Sequence, residues 1–113
     1  MKELVSLVLS KNATVGAWNA MMTTNVVGRV EIRKQKIVVQ ALKKDALKQA
    51  DPNDEDKGYK YLGGTIKITE EALDFLSDSV DKILAAGMKG ELTIAYGELT
   101  EALDPHYPES KDK

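Results

Sequence analysis

The sequence contains no cysteine and one histidine, and both shortages exclude kinds of site. Without cysteine there is no disulfide framework and no thiolate zinc site. The single histidine, His106, stands near the C-terminus between Pro105 and Pro108, and it has no second histidine with which to build a metal site or a triad. Glycine-rich phosphate-binding motifs are absent as well. We therefore predict that the protein is not an enzyme, and we expect no catalytic residue, no metal and no cofactor.

Long apolar runs are also missing. No stretch approaches the roughly 20 apolar residues that span a bilayer, so no membrane partner is expected. The run Leu4–Leu9 follows Lys2 as the apolar part of a secretory signal would, but Glu3 and Ser6 interrupt that pattern. We interpret the run as a strand covered on both faces, and we predict a cytoplasmic protein.

The length and the charge distribution bound the organisation of the chain. A chain of 113 residues has the length of one domain. We predict a single α+β domain over residues 1–104, with an acidic loop at 51–58 and a disordered tail at 105–113. The first 50 residues contain nine basic and three acidic residues, whereas the rest contain seven and fifteen. This split indicates one surface that prefers anions and another that prefers cations, or two halves that face each other within one chain or between copies.

Two segments have helical patterns. After the candidate N-cap Ser10, apolar residues that include Trp18 and Met21 recur at roughly helical spacing. The clearest helix covers residues 69–86, where Thr69 is a good N-cap and acidic residues occupy the first turn. Its apolar residues recur with helical period, and Gly87 is placed to end it.

Residues 26–42 show the alternation of apolar and polar side chains that is typical of strands. We predict a hairpin of two strands with its tip at 33–36, although one long bent strand fits the pattern too. Residues 43–50 are rich in helix formers and predict a short helix. Two further strands are predicted at 59–62 and 65–68, the second with Ile66 and Ile68 facing inward.

The stretch 90–103 contains Gly-Glu-Leu-Thr twice, seven residues apart, and its apolar residues match a helix and a strand almost equally well. Residue types that favour strands, together with Gly97, favour a strand at 91–96, a break at Gly97 and then a short helix. The predicted fold class is α+β, with a mostly antiparallel sheet of about four to five strands, one long helix and one or two short helices. This order corresponds to a ferredoxin-like or split βαβ variant.

Six basic residues form the first candidate site, for nucleic acid or another anion. They are expected on the hairpin and the short helix after it: Arg29, Arg33, Lys34, Lys36, Lys43 and Lys44. A basic ribbon can hold phosphates, and Tyr59 and Tyr61 can stack on bases if they share an open sheet face. The alternative is a solvated hairpin with no ligand.

Three large apolar residues form the second candidate site, a partner interface: Trp18, Met21 and Met22. Such side chains are enriched at interfaces, although core packing explains them as well. The leading hypothesis is a small, soluble, non-enzymatic binding or regulatory protein that acts through protein contact and forms a homo-oligomer. The alternative is a nucleic-acid-binding module that uses the basic segment 29–48.

Overall fold

The computed structural model describes residues 3–51, 53–54 and 58–107, and this part of the chain is α+β, as predicted. It contains four strands and four α-helices. In chain order the elements are β1 (Leu4–Leu9), α1 (Lys11–Thr23), α2 (Gly28–Asp45), β2 (Leu47–Gln49), β3 (Tyr59–Tyr61), β4 (Gly64–Thr69), α3 (Glu70–Ala86) and α4 (Thr93–Leu103). Short 3-10 turns at Gly90–Leu92 and Asp104–His106 flank α4. None of the described helices has the length and apolar character needed to cross a bilayer.

The strands form two separate antiparallel pairs within the described residues, so the predicted single sheet of four to five strands is not confirmed. β1 pairs with β4, with Leu7 opposite Ile66, and β2 pairs with β3, with Lys48 opposite Lys60. The sheet is smaller than predicted because two segments with strand-like patterns, 26–42 and 91–96, are helical.

The β1–β4 sheet is covered on one face. Leu7 lies in the core together with Ile66 and Ile68, and the inward orientation predicted for these two isoleucines is confirmed. On the other face, Leu4 and Val8 are 57% and 68% exposed. The prediction that β1 is covered on both faces is therefore wrong, because the helices pack against one side of the sheet.

Segment 26–42, where alternation predicts a hairpin, belongs mostly to α2, a helix of 18 residues. The hairpin prediction is wrong because the buried side chains of α2, Val38 and Leu42, are four residues apart and share one helical face. β-branched residues produced the strand-like pattern, but Lys, Arg, Gln, Ala and Leu, which favour helices, make up much of the segment. The helix start is held by Glu31, whose Oε1 accepts a hydrogen bond from the backbone N–H of Val27 at 3.2 Å.

The predicted short helix at 43–50 is divided between two elements. Residues 43–45 complete α2, and Leu47–Gln49 form β2, the partner of β3. Leu47 is buried, so its pairing and burial in the tertiary structure override the helix propensity of this segment.

The predicted strand at 91–96 is also helical. A 3-10 turn covers Gly90–Leu92, and α4 then runs through Gly97 without a break. Its buried residues lie on one side: Ala95, Tyr96, Leu99 and Leu103. The strand prediction is wrong because that face packs against α1, while Ile94 is left 67% exposed to solvent. The second half of the repeat is helical, as predicted.

The remaining helix signals are confirmed. Ser10 Oγ accepts a hydrogen bond from the N–H of Ala13 at 3.0 Å at the start of α1. Thr69 Oγ1 accepts one from the N–H of Ala72 at 3.2 Å at the start of α3. Gly87 follows α3 with a φ of 94°, which glycine adopts without strain.

Helices α1 and α4 pack with their backbones unusually close. A Cβ added to Gly16 of α1 would lie 2.8 Å from the carbonyl oxygen of Ala95 in α4. A carboxylate ties the same pair of helices at one end: Glu98 accepts hydrogen bonds from Ser10 Oγ and Asn12 Nδ2, each at 2.7 Å. These two hydrogen bonds lower the pKa of Glu98.

The C-terminal segment is described as far as Tyr107. Pro105 and His106 belong to the second 3-10 turn, and the Tyr107 hydroxyl donates a hydrogen bond to Asp74 Oδ1 of α3. Burial, with the nearby Asp74 carboxylate, raises the pKa of Tyr107. The rest of the predicted disordered tail, 108–113, and residues 52 and 55–57 of the acidic loop lie outside the described residues.

Two glycine variants test the close packing of α1 on α4. Gly97 also lies inside a helix, but a Cβ there would meet no atom within 4 Å. Both Gly16→Ala and Gly97→Ala gain about 1 kcal/mol of helix propensity. Gly16→Ala also overpacks a backbone contact, at a cost of about 1–3 kcal/mol. We expect Gly97→Ala to raise the free energy of unfolding, measured by urea denaturation. The free energy of unfolding of Gly16→Ala should be lower than that of Gly97→Ala by the overpacking cost.

The comparison isolates the contact because the two variants share the same change in propensity. Equal free energies of unfolding for the two variants would show that the α1–α4 contact relaxes without cost.

Candidate binding surface on α1 and α2

The helical conformation of α2 gathers five of the six predicted basic residues on one side. At about 100° per residue, they fall within an arc of about 100° on the side opposite Val38 and Leu42. These five exposed residues, the basic stripe, are Arg29, Arg33, Lys36, Lys43 and Lys44. α2 is described throughout, and its two acidic residues, Glu31 and Asp45, lie off this arc. The stripe extends for about 22 Å along the helix, at 1.5 Å per residue.

Lys34, the sixth residue of the predicted set, lies elsewhere. It is half-buried and lines a cleft of about 410 Å³ between α2 and α3, together with Asp74 and Asp78. Lys34 lies about 140° around the helix from Arg29, near the buried side of α2, and it is therefore not part of the basic stripe.

Trp18, the first predicted interface residue, meets the basic stripe at Lys43. The half-buried Trp18 ring lies 5.4 Å from the ring of Tyr59, centroid to centroid, with 55° between the planes. Lys43 Nζ is 5.9 Å from the Trp18 centroid and 5.5 Å from the Tyr59 centroid. A cation at this distance is attracted by the ring faces. The basic and the apolar candidate sites, which the sequence analysis treated separately, therefore meet at Trp18 and Lys43.

The two predicted methionines have different positions. Met21 is fully buried, so its side chain belongs to the core, whereas Met22 is 51% exposed at the end of α1. Gln35 Nε2 of α2 donates a hydrogen bond to the carbonyl oxygen of Met21 at 2.7 Å. Because Trp18 contacts residue 43 and Met21 contacts residue 35, α1 and α2 run antiparallel.

Two further apolar residues, Ile32 and Val39, belong to this surface and were missed from the sequence. Gln35 and Lys43 both reach α1, so the flank of α2 between them faces α1, and Ile32 and Val39 lie on that flank. Ile32 is 50% exposed and Val39 is half-buried. Their spacing of seven residues was the available signal, but it has meaning only if the segment is a helix.

We define the α1–α2 surface as the basic stripe together with an apolar seam. The seam consists of the exposed or half-buried residues Trp18, Met22, Ile32 and Val39. The surface therefore presents apolar area along the junction of two helices, with cations bordering it on the α2 side.

The tyrosines expected to stack on bases do not form an open platform. Tyr59 and Tyr61 do share one face of the β2–β3 pair, but both are half-buried and pack against the core. The other face presents Lys48 and Lys60, which are exposed and directly opposite each other. This arrangement adds positive charge but provides no aromatic surface for bases.

The cleft between α2 and α3 contains carboxylates that are already used in the fold. Glu31 accepts the hydrogen bond from Val27, and Asp74 accepts the one from Tyr107. In the described part of the chain, no three metal-ligating side chains are placed to hold an ion.

Comparison of the chain with protein-family models, with curated proteins and with solved structures finds no match.

The contact between Lys43 and the two rings can be tested with a matched pair of variants. Lys43→Gln removes the cation–π contact and is expected to lower the free energy of unfolding by about 0.5–1 kcal/mol. Lys44→Gln removes a neighbouring exposed lysine from the same helix end without touching either ring. Urea unfolding followed by the fluorescence of Trp18, the one tryptophan in the chain, measures both. An equal loss in the two variants would mean that the ring contact contributes nothing.

Proposed function

We propose that the protein is a small, non-enzymatic binding protein that acts through contact with another protein and works as a homo-oligomer. The observation that supports this function is the α1–α2 surface, where an exposed apolar seam borders a basic stripe. Burial of the apolar residues on binding would stabilise a complex, and the cations would favour a partner of opposite charge.

The chemistry of the surface describes its partner. Tryptophan and methionine are enriched at the centres of interfaces, and full burial of one large apolar side chain contributes about 1.5–3 kcal/mol. Met22 and Ile32 are each about half exposed, so they still have apolar area that a partner can bury. The basic stripe favours carboxylates beside the apolar contact. We therefore expect a partner segment with an apolar strip flanked by acidic residues, such as an acidic amphipathic helix.

Charge and apolar variants test the surface by comparative capture from a lysate of the cells that produce the protein. Arg33→Glu with Lys36→Glu reverses part of the basic stripe, and Met22→Lys interrupts the apolar seam. Because binding is expected to depend on both the basic stripe and the apolar seam, we expect the amount of each retained protein to fall at least about tenfold with either variant. Quantitative mass spectrometry measures the retained proteins.

Two controls match these changes. Lys82→Glu reverses an exposed charge on α3, and Ile94→Lys replaces an exposed apolar residue on α4, so both should retain the wild-type set. Two results contradict the proposed surface. In one, the Arg33/Lys36 variant retains as much of each partner protein as the wild type does. In the other, the wild type retains no protein above background.

Nucleic-acid binding is a second candidate, and the basic stripe is the observation that favours it. Five cations along about 22 Å of helix can contact successive phosphates, and no acidic side chain of α2 interrupts them. The formal net charge of −2 and the packed tyrosines favour a protein partner over this candidate.

Fluorescence anisotropy with labelled DNA and RNA of about 20 nucleotides separates the two functions. If the stripe binds phosphates, affinity at about 50 mM salt falls steeply as salt rises, and Arg29→Gln with Arg33→Gln reduces the slope by about two. The protein-binding function predicts no saturable binding to either nucleic acid at that salt concentration. Saturable binding that the double variant leaves unchanged would place the nucleic-acid site away from the basic stripe.

A further inference from the structure

Strand β1 has a free edge without the usual protection. Within the described residues, β1 pairs on one side with β4 and with no strand on the other. Its sequence is LVSLVL, so it contains no charge, no proline and no glycine. Proteins commonly protect such edges with charged side chains, prolines or bulges, because unpaired N–H and C=O groups attract another strand. The β1 edge is therefore suited to pairing with a further strand.

The other strand edges are less suited to a second copy of this chain. β4 has the exposed Lys67 in its middle. The short strands β2 and β3 present Lys48 and Lys60. Identical copies that pair antiparallel about any of these lysines place like charges opposite each other, which is unfavourable. β1 is uncharged, so two copies can approach each other along it without side-chain repulsion.

We propose that two copies of the chain pair antiparallel through β1, about a twofold axis at Ser6, and form one continuous four-stranded sheet. The strand order is β4–β1 of one copy followed by β1–β4 of the second. The inference specifies the homo-oligomer of the proposed function, and it is independent of the partner that binds the α1–α2 surface.

Self-complementarity of the exposed face selects this register. Leu4, Ser6 and Val8 point to the open face of the sheet, and antiparallel neighbours directly opposite each other share a face. With the axis at Ser6, Leu4 of each copy lies opposite Val8 of the other, which makes two apolar cross-strand pairs. An axis at Val5 or Leu7 instead places Leu4 or Val8 opposite the hydroxyl of Ser6.

The pairing also resolves an unusual feature of the fold. A sheet of two strands with an open face is small for independent stability, and here Leu4 and Val8 are 57% and 68% exposed on it. Joining two copies doubles the number of strands and gives the free N–H and C=O groups of β1 hydrogen-bond partners. The helices of both copies stay on the same side of the continuous sheet, because the register keeps inner faces together.

A single cysteine tests the register directly, since the chain has no other thiol. Opposite residues of antiparallel strands have Cα atoms about 4.5–5.5 Å apart, which falls within the range of about 4.4–6.8 Å that a disulfide spans. We expect Ser6→Cys to form a covalent dimer under mild oxidation. Thr65→Cys is the control, because Thr65 is exposed on the same face of β4 but is separated from its counterpart by the two β1 strands of the proposed interface.

Sedimentation equilibrium tests the same contact without a covalent bond. The wild type is expected to show twice the chain mass of 12.4 kDa. Val8→Lys should raise the dimer dissociation constant at least about tenfold, and adding Leu4→Glu should reverse that rise, because Lys and Glu are then opposite each other. Ile94→Lys, at a residue of similar exposure, should leave the mass unchanged.

The outcomes separate the interface from the wider function. A dimer that forms while Ser6→Cys crosslinks no faster than Thr65→Cys overturns β1 pairing but leaves the homo-oligomer. A single-chain mass at every concentration from about 1 to 100 µM means a dissociation constant well above about 100 µM, and it overturns both the β1 pairing and the homo-oligomer. Capture of a partner through the α1–α2 surface is unaffected by either result.

Discussion

The close contact between α1 and α4 positions most of the remaining structure. Gly16 lets the α1 backbone approach Ala95 of α4, and the small residues Ala13, Ala17 and Ala20 are buried on the same helix. Polar groups then fix the orientation of the pair, since the buried Tyr96 donates a hydrogen bond to Asn19 at 2.5 Å. The small residues of α1 therefore lie on the side that faces α4, and its largest side chain, Trp18, contacts a different neighbour.

That neighbour is the junction with α2 and β3. Trp18 packs on Tyr59 below Lys43, and Gln35 is bonded to the end of α1, so α2 is held antiparallel to α1 along its flank. Only Val38 and Leu42 of α2 are fully buried. Ile37, Val39 and Ala41 are half-buried and pack against the core as well, while the opposite side of the helix is exposed. The helix is therefore attached to the core along one side, and its basic stripe stays in solvent on the other.

The molecule therefore combines two exposed features of different chemistry. The α1–α2 surface is basic and partly apolar, which suits an acidic partner, whereas the edge of β1 is uncharged, which suits an identical strand. The acidic residues of the chain lie largely in the second half, and several of them, including Asp74 and Asp78, lie on the exposed side of α3. The uneven charge along the sequence thus places basic residues on α2 and acidic residues on α3.

By itself the sequence determined the elements whose signals agree with one another. Residues 69–86 have a cap, a helical apolar period and a terminal glycine, and each of these acts locally. The strand pattern of β4 with Ile66 and Ile68 inward was readable for the same reason, as was the α+β class.

Tertiary structure decided the segments where the local pattern pointed to a strand or fitted both periods. Residues 26–42 alternate as a strand does, and residues 91–96 fit strand and helix almost equally. Each is helical because its buried face finds a partner: the core for Val38 and Leu42, and α1 for Ala95, Tyr96 and Leu99. The proposed binding surface depends on the same choice. Sequence identified basic and apolar candidates, but which of them share a face follows from the helical rotation of α2 and its packing against α1, which are set by contacts distant along the chain.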